Sequence, residues 1–286
     1  MWQEDHIPYL FSMLFQGVGF GMIPQLNTVY NENCLETMSS MSNGSIDLVV
    51  TSPPYDGLRS YDGTVGAFDF ENTANHLYRV IKPGGVVVWI VGDQVREGDE
   101  SGTSFTQALR FKEIGFKLFD TMIYEKDTRC GHGSGQSYYQ TFEYMFILTK
   151  GKIKTSNLIK DVKNKYTAGR TKRGAREVDG TFKKPKYIEF GEYRKRNNIW
   201  YYPTGLYHST REKVAFEHPA IMPDKLAADH IKSWSNEGDV VYDPFAGSGT
   251  TLKQALVLKR KYIGSEISPV YCKIIKSRLH TLELFS

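Results

Sequence analysis

Two stretches decide the fold of this chain: TSPPY at residues 51–55 and DPFAGSGT at residues 243–250. Each follows a mostly apolar run rich in β-branched residues, IDLVV at residues 46–50 and VVY at residues 240–242. Such runs are typical of parallel strands that are buried on both faces. We therefore predict that both stretches are loops at the carboxyl ends of parallel strands, where open α/β sheets bind ligands.

The second loop has the features of a cofactor-binding loop. Gly247 and Gly249 allow the backbone to approach a ligand closely, and a helix predicted from Thr250 directs its free N–H groups toward that ligand. The loop is not a nucleotide P-loop, because the sequence lacks G-x-x-x-x-G-K-[ST]. Glu266 follows the next predicted strand, where an acidic residue of dinucleotide folds accepts the ribose hydroxyls; a surface carboxylate is the alternative.

The first loop offers hydrogen-bond acceptors and one aromatic ring. Pro53 and Pro54 fix their own φ angles and so preorganise the loop. The Ser52 hydroxyl and the Pro53 carbonyl can accept the two hydrogens of an exocyclic amino group, and Tyr55 can stack on a base. Because the lone pair of such an amino group is delocalised into the ring, acceptors that localise it would make the nitrogen nucleophilic. A purely structural turn is the alternative for this loop taken alone.

Together, and in this order, the two motifs resemble the amino-group DNA methyltransferases that use S-adenosylmethionine. In that family a [DNS]-P-P-[YFW] loop carries the chemistry and an F-x-G-x-G loop holds the cofactor. The order in this chain is similar to the circularly permuted, beta-type arrangement. The resemblance covers residues 28–149 and 211–286. It implies an α/β, Rossmann-like class I methyltransferase fold with a mostly parallel seven-stranded sheet and an inserted target-recognition region.

The resemblance also assigns roles to individual residues. The catalytic loop is Ser52, Pro53, Pro54 and Tyr55. The cofactor anchors of the second loop and the following strand are Asp243, Pro244, Phe245, Gly247, Gly249, Thr250 and Glu266. The H-P-x-x-x-P segment of the family, which closes over the methionine part of the cofactor, is matched by His218, Pro219 and Pro223. Near the adenine, Asn33 and Cys34 occupy the place of an Asp-Cys pair, and the asparagine departs from the pattern because it carries no charge.

The chemistry implied by the resemblance is methyl transfer to a flipped base. A base inside a duplex is inaccessible, so the enzyme must extrude it. Since the sulfonium is already an activated methyl donor, positioning and electrostatics suffice and no metal is required. Carbon-5 methylation is excluded, because none of Cys34, Cys130 and Cys272 follows a proline. S-P-P-Y is more typical of enzymes that modify cytosine N4, so we predict that target; adenine N6 and a non-catalytic DNA-binding homologue are the alternatives.

A basic block separates the two parts of the predicted catalytic domain. Residues 150–196 contain 16 Lys and Arg against 5 Asp and Glu, a net +11, so the rest of this +4 chain sums to −7. Aromatic residues interleave with these charges, as a surface that tracks phosphates and stacks on bases requires. We predict a target-recognition insert at residues 150–210, although a solvated charged insert is the alternative. The candidate DNA contacts are Arg59, Lys172, Arg173, Arg176, Lys183 and Lys184.

The remaining predictions concern organisation and partners. Residues 1–27 form an N-terminal arm, packed or self-associating, and residues 28–149 with 211–286 form the catalytic domain. Two antiparallel edge strands are predicted at residues 116–124 and 142–149, with His132 and Tyr138 near the flipped base. We expect double-stranded DNA as partner, a cognate restriction endonuclease as a further candidate, no membrane, and a monomer or homodimer. The three cysteines are odd in number and widely spaced, which favours a reduced cytoplasm, and the resemblance implies a prokaryote or a phage-infected host.

Overall fold

The computed structural model describes residues 24–54, 68–130, 138–165, 169–174, 176–182, 184 and 186–283. The predicted N-terminal arm lies almost entirely outside these residues, as do Tyr55, Arg59, His132 and Lys183. The strands, in chain order, are β1 (Thr28–Tyr30), β2 (Ile46–Thr51), β3 (Ile81–Val91), β4 (Val95–Arg96), β5 (Asp99–Glu100), β6 (Lys117–Cys130), β7 (Gln140–Thr149), β8 (Lys160–Lys163), β9 (Gly169–Arg173), β10 (Lys186–Phe190), β11 (Tyr193–Lys195), β12 (Ile199–Tyr201), β13 (Val240–Asp243) and β14 (Lys261–Ser265).

Six α-helices are described, and one of them begins at Thr250 as the sequence predicts. They are α1 (Cys34–Ser40), α2 (Phe70–Val80), α3 (Thr103–Ile114), α4 (Asp224–Trp234), α5 (Thr250–Val257) and α6 (Pro269–Glu283), with a 3₁₀ helix at Lys213–Glu217. Local sequence sets their ends: the Asp69 side chain caps α2, and Gly115 at φ 122° closes α3. Among the described residues, no helix combines the length and the apolar character needed to cross a membrane.

The main sheet confirms the mostly parallel α/β fold. Within the described residues it has eight strands, in the order β1-β14-β13-β2-β3-β7-β6-β12. The pairs from β1 to β3 are parallel, whereas β7 runs antiparallel to both β3 and β6. The order of the strands places β2 beside β13, so the chain returns from its far end to the middle of the sheet. This adjacency is what brings the two predicted loops together.

Two details of the sheet differ from the prediction. The expected seven strands become eight, because Ile199–Tyr201 pairs in parallel with β6 and extends the sheet. The strands predicted at residues 116–124 and 142–149 do pair antiparallel, but neither is an edge: β7 lies inside the sheet and β12 covers β6. Ile-Trp-Tyr suits a strand, since β-branched and aromatic side chains pack well on a pleated surface.

The core lies on both faces of the sheet, and the continuous apolar run VVVWIV at residues 86–91 is typical of a strand buried on both faces. Alternate side chains of β3 point to opposite faces. Val86, Val88 and Ile90 join a buried cluster with α4, α5 and α6, and the intervening side chains, Trp89 among them, join a second cluster with α1, α2 and α3. The sheet is therefore a rigid platform that carries loops at its carboxyl edge.

The basic block folds outside the main sheet. Two antiparallel strand pairs lie within residues 160–195: β9 with β10 forms a hairpin, and β8 pairs with β11 on either side of it in the chain. Contacts with α4 attach this region to the α/β layers: the Asn157 N–H donates to the Ser233 carbonyl at 2.8 Å, and Arg196 Nη1 donates to Asp229 Oδ2 at 2.7 Å. Asp229 also accepts from the Tyr202 hydroxyl at 2.8 Å.

Candidate functional site

The two predicted loops are joined by direct hydrogen bonds at the carboxyl edge of the sheet. Thr51, the last residue of β2, donates through its hydroxyl to Asp243 Oδ1 at 2.7 Å. The Thr251 hydroxyl, in the first turn of α5, donates to the Val50 carbonyl at 3.1 Å. Thr51 and Asp243 are 192 positions apart in the chain. The structure thus brings the predicted catalytic loop and the predicted cofactor loop into one site.

Asp243 is a buried acceptor beneath the site. Its side chain is 3% exposed, and Oδ1 accepts the Phe245 N–H at 3.1 Å as well as the Thr51 hydroxyl. Burial raises the pKa of Asp243 from 3.8 to about 6, even though these hydrogen bonds act in the opposite direction. A carboxylate kept in this place costs stability near neutral pH, and what it contributes in return is the link between the two loops.

The predicted catalytic loop leaves β2 directly after Thr51. Pro53 is buried, while Ser52 and Pro54 are half-buried at the carboxyl edge of the sheet. The described part of this loop therefore begins on a strand buried on both faces and continues toward solvent. Tyr55, which completes the motif, lies beyond the described residues, so its stacking role stays a prediction.

The predicted cofactor loop requires both of its glycines. Gly247 has φ +52° and Gly249 has φ +80°, in the left-handed region that favours glycine. A Cβ on Gly247 would stand 3.0 Å from His218 Nε2, and one on Gly249 would stand 2.9 Å from Ile275 Cγ2. The Gly249 N–H donates to the Ala246 carbonyl at 2.7 Å, so the loop turns tightly into α5. This leaves a close backbone turn at the start of a helix, a suitable cradle for a ligand.

Glu266 lies directly after β14, beside the glycine turn. Its carboxylate accepts the Gly247 N–H at 2.8 Å through Oε2 and the Ser268 N–H at 2.9 Å through Oε1. The side chain is 9% exposed, and burial raises its pKa while these two backbone donors lower it. Each carboxylate oxygen keeps further acceptor capacity, so two neighbouring hydroxyls could also bond here. The site has the acceptor that a ribose needs.

His218 also packs against this glycine turn. Its ring is 6% exposed and meets the Tyr271 ring edge-on, with 4.4 Å between centroids. His218 Nδ1 accepts the Ala220 N–H at 3.1 Å, which assigns the ring proton of the neutral form to Nε2, the nitrogen that faces Gly247. Pro219 follows immediately and Pro223 stands at the start of α4. The predicted H-P-x-x-x-P segment therefore lies next to the glycine turn.

Asn33 and Cys34 extend the site by one strand. Asn33 caps α1 by accepting the Leu35 N–H at 2.9 Å, and β1, which precedes it, pairs with β14. Cys34 is 6% exposed, and burial raises the pKa of its thiol to about 11. The thiol is therefore protonated at neutral pH, which is unsuitable for a nucleophile. Within the described ranges, no group of three or more His, Cys, Asp or Glu side chains is arranged to hold a metal ion.

The residues predicted to contact DNA are exposed where their side chains are described. The Arg176 guanidinium stands 5.4 Å from the Phe182 ring centre, and Nε donates to the Gly180 carbonyl at 3.2 Å. Lys184 is exposed nearby. Lys172 and Arg173 lie on β9, although only their backbone is described. The structure therefore brings Lys172, Arg173 and Arg176 onto one hairpin.

Comparison with known proteins identifies the family. The model of the N6/N4-type DNA methylases matches residues 46–277. The orphan methyltransferase M.BamHII of Bacillus amyloliquefaciens is 57% identical over 238 residues, which are 82% of this chain and 89% of that protein. This chain belongs to the N6/N4 DNA methylase family. The match covers both loops of the site, and methylases of this family use S-adenosylmethionine as the methyl donor.

Solved structures support the fold of this DNA methylase. The cytosine-N4-specific PvuII DNA methyltransferase matches with a TM-score of 0.66 at 19% identity, covering 90% of this chain and 87% of that one. The S-adenosylmethionine complex of M1.HpyAVI matches with a TM-score of 0.59 at 22% identity, covering 88% of this chain and 98% of that one. The prediction of a Rossmann-like class I methyltransferase fold is confirmed.

Two features of the methylase site have no signal in the sequence. The first is an aromatic cluster around Phe245, whose ring lies 5.2 Å from that of Phe68 and 6.4 Å from that of Trp89. The second is a network of four charges beneath the cofactor loop, formed by Glu212, Asp224, Lys253 and Arg278, of which the Arg278 side chain is fully buried. Nothing in an amphipathic helix pattern reveals that an arginine is fully buried, so sequence reasoning missed Arg278.

Proposed function

We propose that this DNA methylase transfers a methyl group from S-adenosylmethionine to the N4 amino group of cytosine at a specific site in double-stranded DNA. The observation that carries the proposal is the hydrogen bond from Thr51 to Asp243, because it holds the S-P-P-Y loop beside the glycine turn. The bound cofactor supplies an activated methyl group on sulfur. The chain has to supply the position of the amino group and the electrostatics around it.

In this proposal the first loop accepts hydrogen bonds from the target amino group. The Ser52 hydroxyl and the Pro53 carbonyl take its two hydrogens, which localises the nitrogen lone pair toward the methyl donor. Pro53 is buried against the edge of the sheet, so the loop holds this geometry without reorganisation. Tyr55 stacks on the extruded base, and the fixed φ angle of Pro54 sets the position of Tyr55 relative to Ser52. A serine in first position favours cytosine N4 over adenine N6.

The cofactor occupies the other side of the site. Glu266 accepts the ribose hydroxyls through the lone pairs that Gly247 and Ser268 leave unused. Gly247 and Gly249 form the tight turn beside the cofactor, because a side chain at either position would meet His218 or Ile275. Further residues at the neighbouring loop and strand ends also line the cofactor site, and Asp243 supports the site by joining the two loops. These residues are Asn33, Cys34, Pro219, Pro244, Phe245 and Thr250.

The base is tested directly by mass spectrometry. Duplex DNA is incubated with the protein and S-adenosylmethionine, hydrolysed to nucleosides and analysed for N4-methylcytosine and N6-methyladenine. We expect N4-methylcytosine alone, and its loss in Ser52→Ala with cofactor binding retained. Ser277→Ala, which removes an exposed hydroxyl on α6, is the matched control and should keep full activity. N6-methyladenine would establish the alternative target. If the protein binds the cofactor normally but forms no methylated base, it is a non-catalytic homologue.

We further propose that residues 150–210, which include the basic block at residues 150–196, form the target-recognition insert. The support is its net charge of +11 over residues 150–196 and the exposed hairpin that carries Arg176. Each phosphate contact should contribute a slope of about −0.9 to the dependence of log affinity on log salt. The triple change of Lys172, Arg173 and Arg176 to glutamine should flatten that slope and leave cofactor affinity unchanged.

The control for the insert removes the same charge elsewhere. Lys112, Lys117 and Lys273 are exposed on the α/β domain, and changing all three to glutamine should preserve the parent slope. Fluorescence anisotropy of a labelled duplex over a series of salt concentrations gives both slopes. Equal slopes for the two triple variants would contradict the proposal, and the DNA surface would then be sought around Arg59.

A further inference from the structure

Four charged side chains form a closed network beneath the cofactor loop. Arg278 Nε donates to Glu212 Oε2 at 2.6 Å, and Arg278 Nη2 lies 3.3 Å from Asp224 Oδ1. Lys253 Nζ lies 3.0 Å from Glu212 Oε2 and 2.8 Å from Asp224 Oδ2. Two cations and two anions compensate each other, and the Arg278 side chain is 0% exposed. We call these four residues the latch.

The two carboxylates of the latch stand at the two ends of one chain segment. Glu212 precedes the 3₁₀ helix at Lys213–Glu217, and Asp224 is the first residue of α4. His218 lies midway between them, with its ring against the Gly247 turn. The two cations come from α5 and α6, on the other side of that turn. The latch therefore fixes both ends of residues 212–224, which we call the strap, onto the helices behind the cofactor loop.

Arg278 also holds the cofactor loop itself. Its Nη1 donates to the Ser248 carbonyl, and lies 3.2 Å from both the Ser248 and the Thr250 hydroxyl oxygens. Ser248 stands between the two glycines with left-handed backbones. One guanidinium thus fixes the position of the cofactor loop. Through Glu212 and Asp224 it also fixes the position of the strap that covers this loop. Its planar fork suits this role, because a lysine could not make all these contacts at once.

We propose that the latch positions the strap over the cofactor loop, so that affinity for S-adenosylmethionine depends on Glu212, Asp224, Lys253 and Arg278. The proposal rests on the proposed binding of the cofactor at the Gly247–Gly249 turn. None of the four is a catalytic residue, and Arg278 has no surface with which to touch a ligand. They act through His218, whose ring is seated between the turn and Tyr271.

A double-mutant cycle separates positioning from general stability. Glu212→Gln breaks the latch at one end and His218→Ala removes the ring that the latch positions; calorimetry measures S-adenosylmethionine affinity of each and of the double variant. Circular dichroism establishes that every variant is folded at the working temperature. We expect Glu212→Gln to weaken binding about tenfold or more, because loss of one charged partner releases one end of the strap and with it the His218 ring that the strap positions. The double variant should bind within about twofold of His218→Ala alone, because both changes act through one element.

Two controls accompany the cycle. Glu217→Gln makes the same charge change on an exposed side chain within the strap and should leave affinity unchanged. Glu212→Gln combined with Glu266→Gln should weaken binding by the product of the two single effects, because among the described residues Glu266 makes no contact with the latch and binds the cofactor directly in this proposal. If Glu212→Gln does not fold, Asp224→Asn breaks the other end of the strap and takes its place in the same cycle.

The outcomes distinguish the latch from the site on which it rests. If His218→Ala and Glu266→Gln weaken binding but the latch variant does not, the latch is refuted and the proposed cofactor site stands. A double variant that loses affinity by the product of the single effects also refutes the latch, since strap and ring would then act independently. If none of the changes alters affinity, the cofactor binds elsewhere and both proposals fail.

Discussion

Replacing Asp243 by asparagine isolates the charge that lies beneath the two loops. The change keeps the shape of the side chain and the Oδ1 acceptor for Thr51 and Phe245. The amide can also donate to the neighbouring Thr251 hydroxyl, whose oxygen remains an acceptor while it donates to Val50. What the variant removes is a carboxylate whose ionisation is opposed by burial. We expect Asp243→Asn to stabilise the protein near neutral pH.

The size of the effect follows from the pKa. Burial raises the pKa of Asp243 from 3.8 to about 6, so ionisation is harder in the folded than in the unfolded protein. The resulting penalty is absent below pH 3.8, grows with pH, and is complete above pH 6. Each pKa unit is worth about 1.4 kcal/mol, so the full penalty is about 3 kcal/mol. At pH 5 it is about 1.6 kcal/mol, leaving about 1.4 kcal/mol to appear between pH 5 and pH 8.

Urea unfolding of the free protein, followed by tryptophan fluorescence at pH 5 and at pH 8, measures this difference. The advantage of Asp243→Asn in free energy of unfolding should increase by about 1.4 kcal/mol over that interval. Removing the charge also lessens the repulsion that raises the pKa of Glu266, which acts in the same direction. Thr51→Val provides the opposite perturbation: it removes a donor that lowers the pKa of Asp243, so stability should fall more steeply with pH. An advantage that is constant or shrinks as pH rises would refute the reasoning.

Three further predictions test other parts of the site. Glu266→Gln should weaken S-adenosylmethionine binding by a factor of about 10 to 150 in calorimetry, because it removes charge-assisted acceptors. Unchanged affinity would contradict the placement of the ribose at Glu266. Gly249→Ala should lower the free energy of unfolding by about 1–3 kcal/mol, since φ is +80° and the new methyl meets Ile275, and thermal denaturation would show it. Tyr202→Phe should cost about 1–3 kcal/mol in the same assay, because Tyr202 donates to the buried Asp229; an unchanged midpoint would exclude that contribution.

The sequence predicts well where one local signal decides the structure. The run at residues 86–91 is apolar throughout, so it predicts a strand with both faces covered, and β3 has this environment. The order of the two loops predicts that distant parts of the chain meet, and β2 pairs with β13. Glycine at positions 247 and 249 predicts left-handed backbone, and both φ angles are positive. In each case a local constraint leaves few alternatives.

The sequence fails where tertiary contacts decide. Residues 199–201 are too short to stand out as a strand, and only the exposed side of β6 gives them a partner. Arg278 occupies a helix rich in Lys and Arg, and its burial depends on carboxylates that arrive from more than fifty positions away. The link between Thr51 and Asp243 likewise exists only after the sheet has formed. The division of the chain into arm, catalytic domain and insert stays a prediction.

The pairing of β2 with β13 also constrains how a nascent chain acquires its structure. Thr51 and Asp243 are separated by 192 positions, and a ribosome needs about 10–40 s to synthesise that length. During this interval β2, β3, β7 and β6 can assemble, but β2 exposes an unpaired edge of hydrogen-bonding groups. Such an edge recruits other strands. This edge stays open until residues 240–243 are synthesised, so expression slowed before residue 240 should increase aggregation.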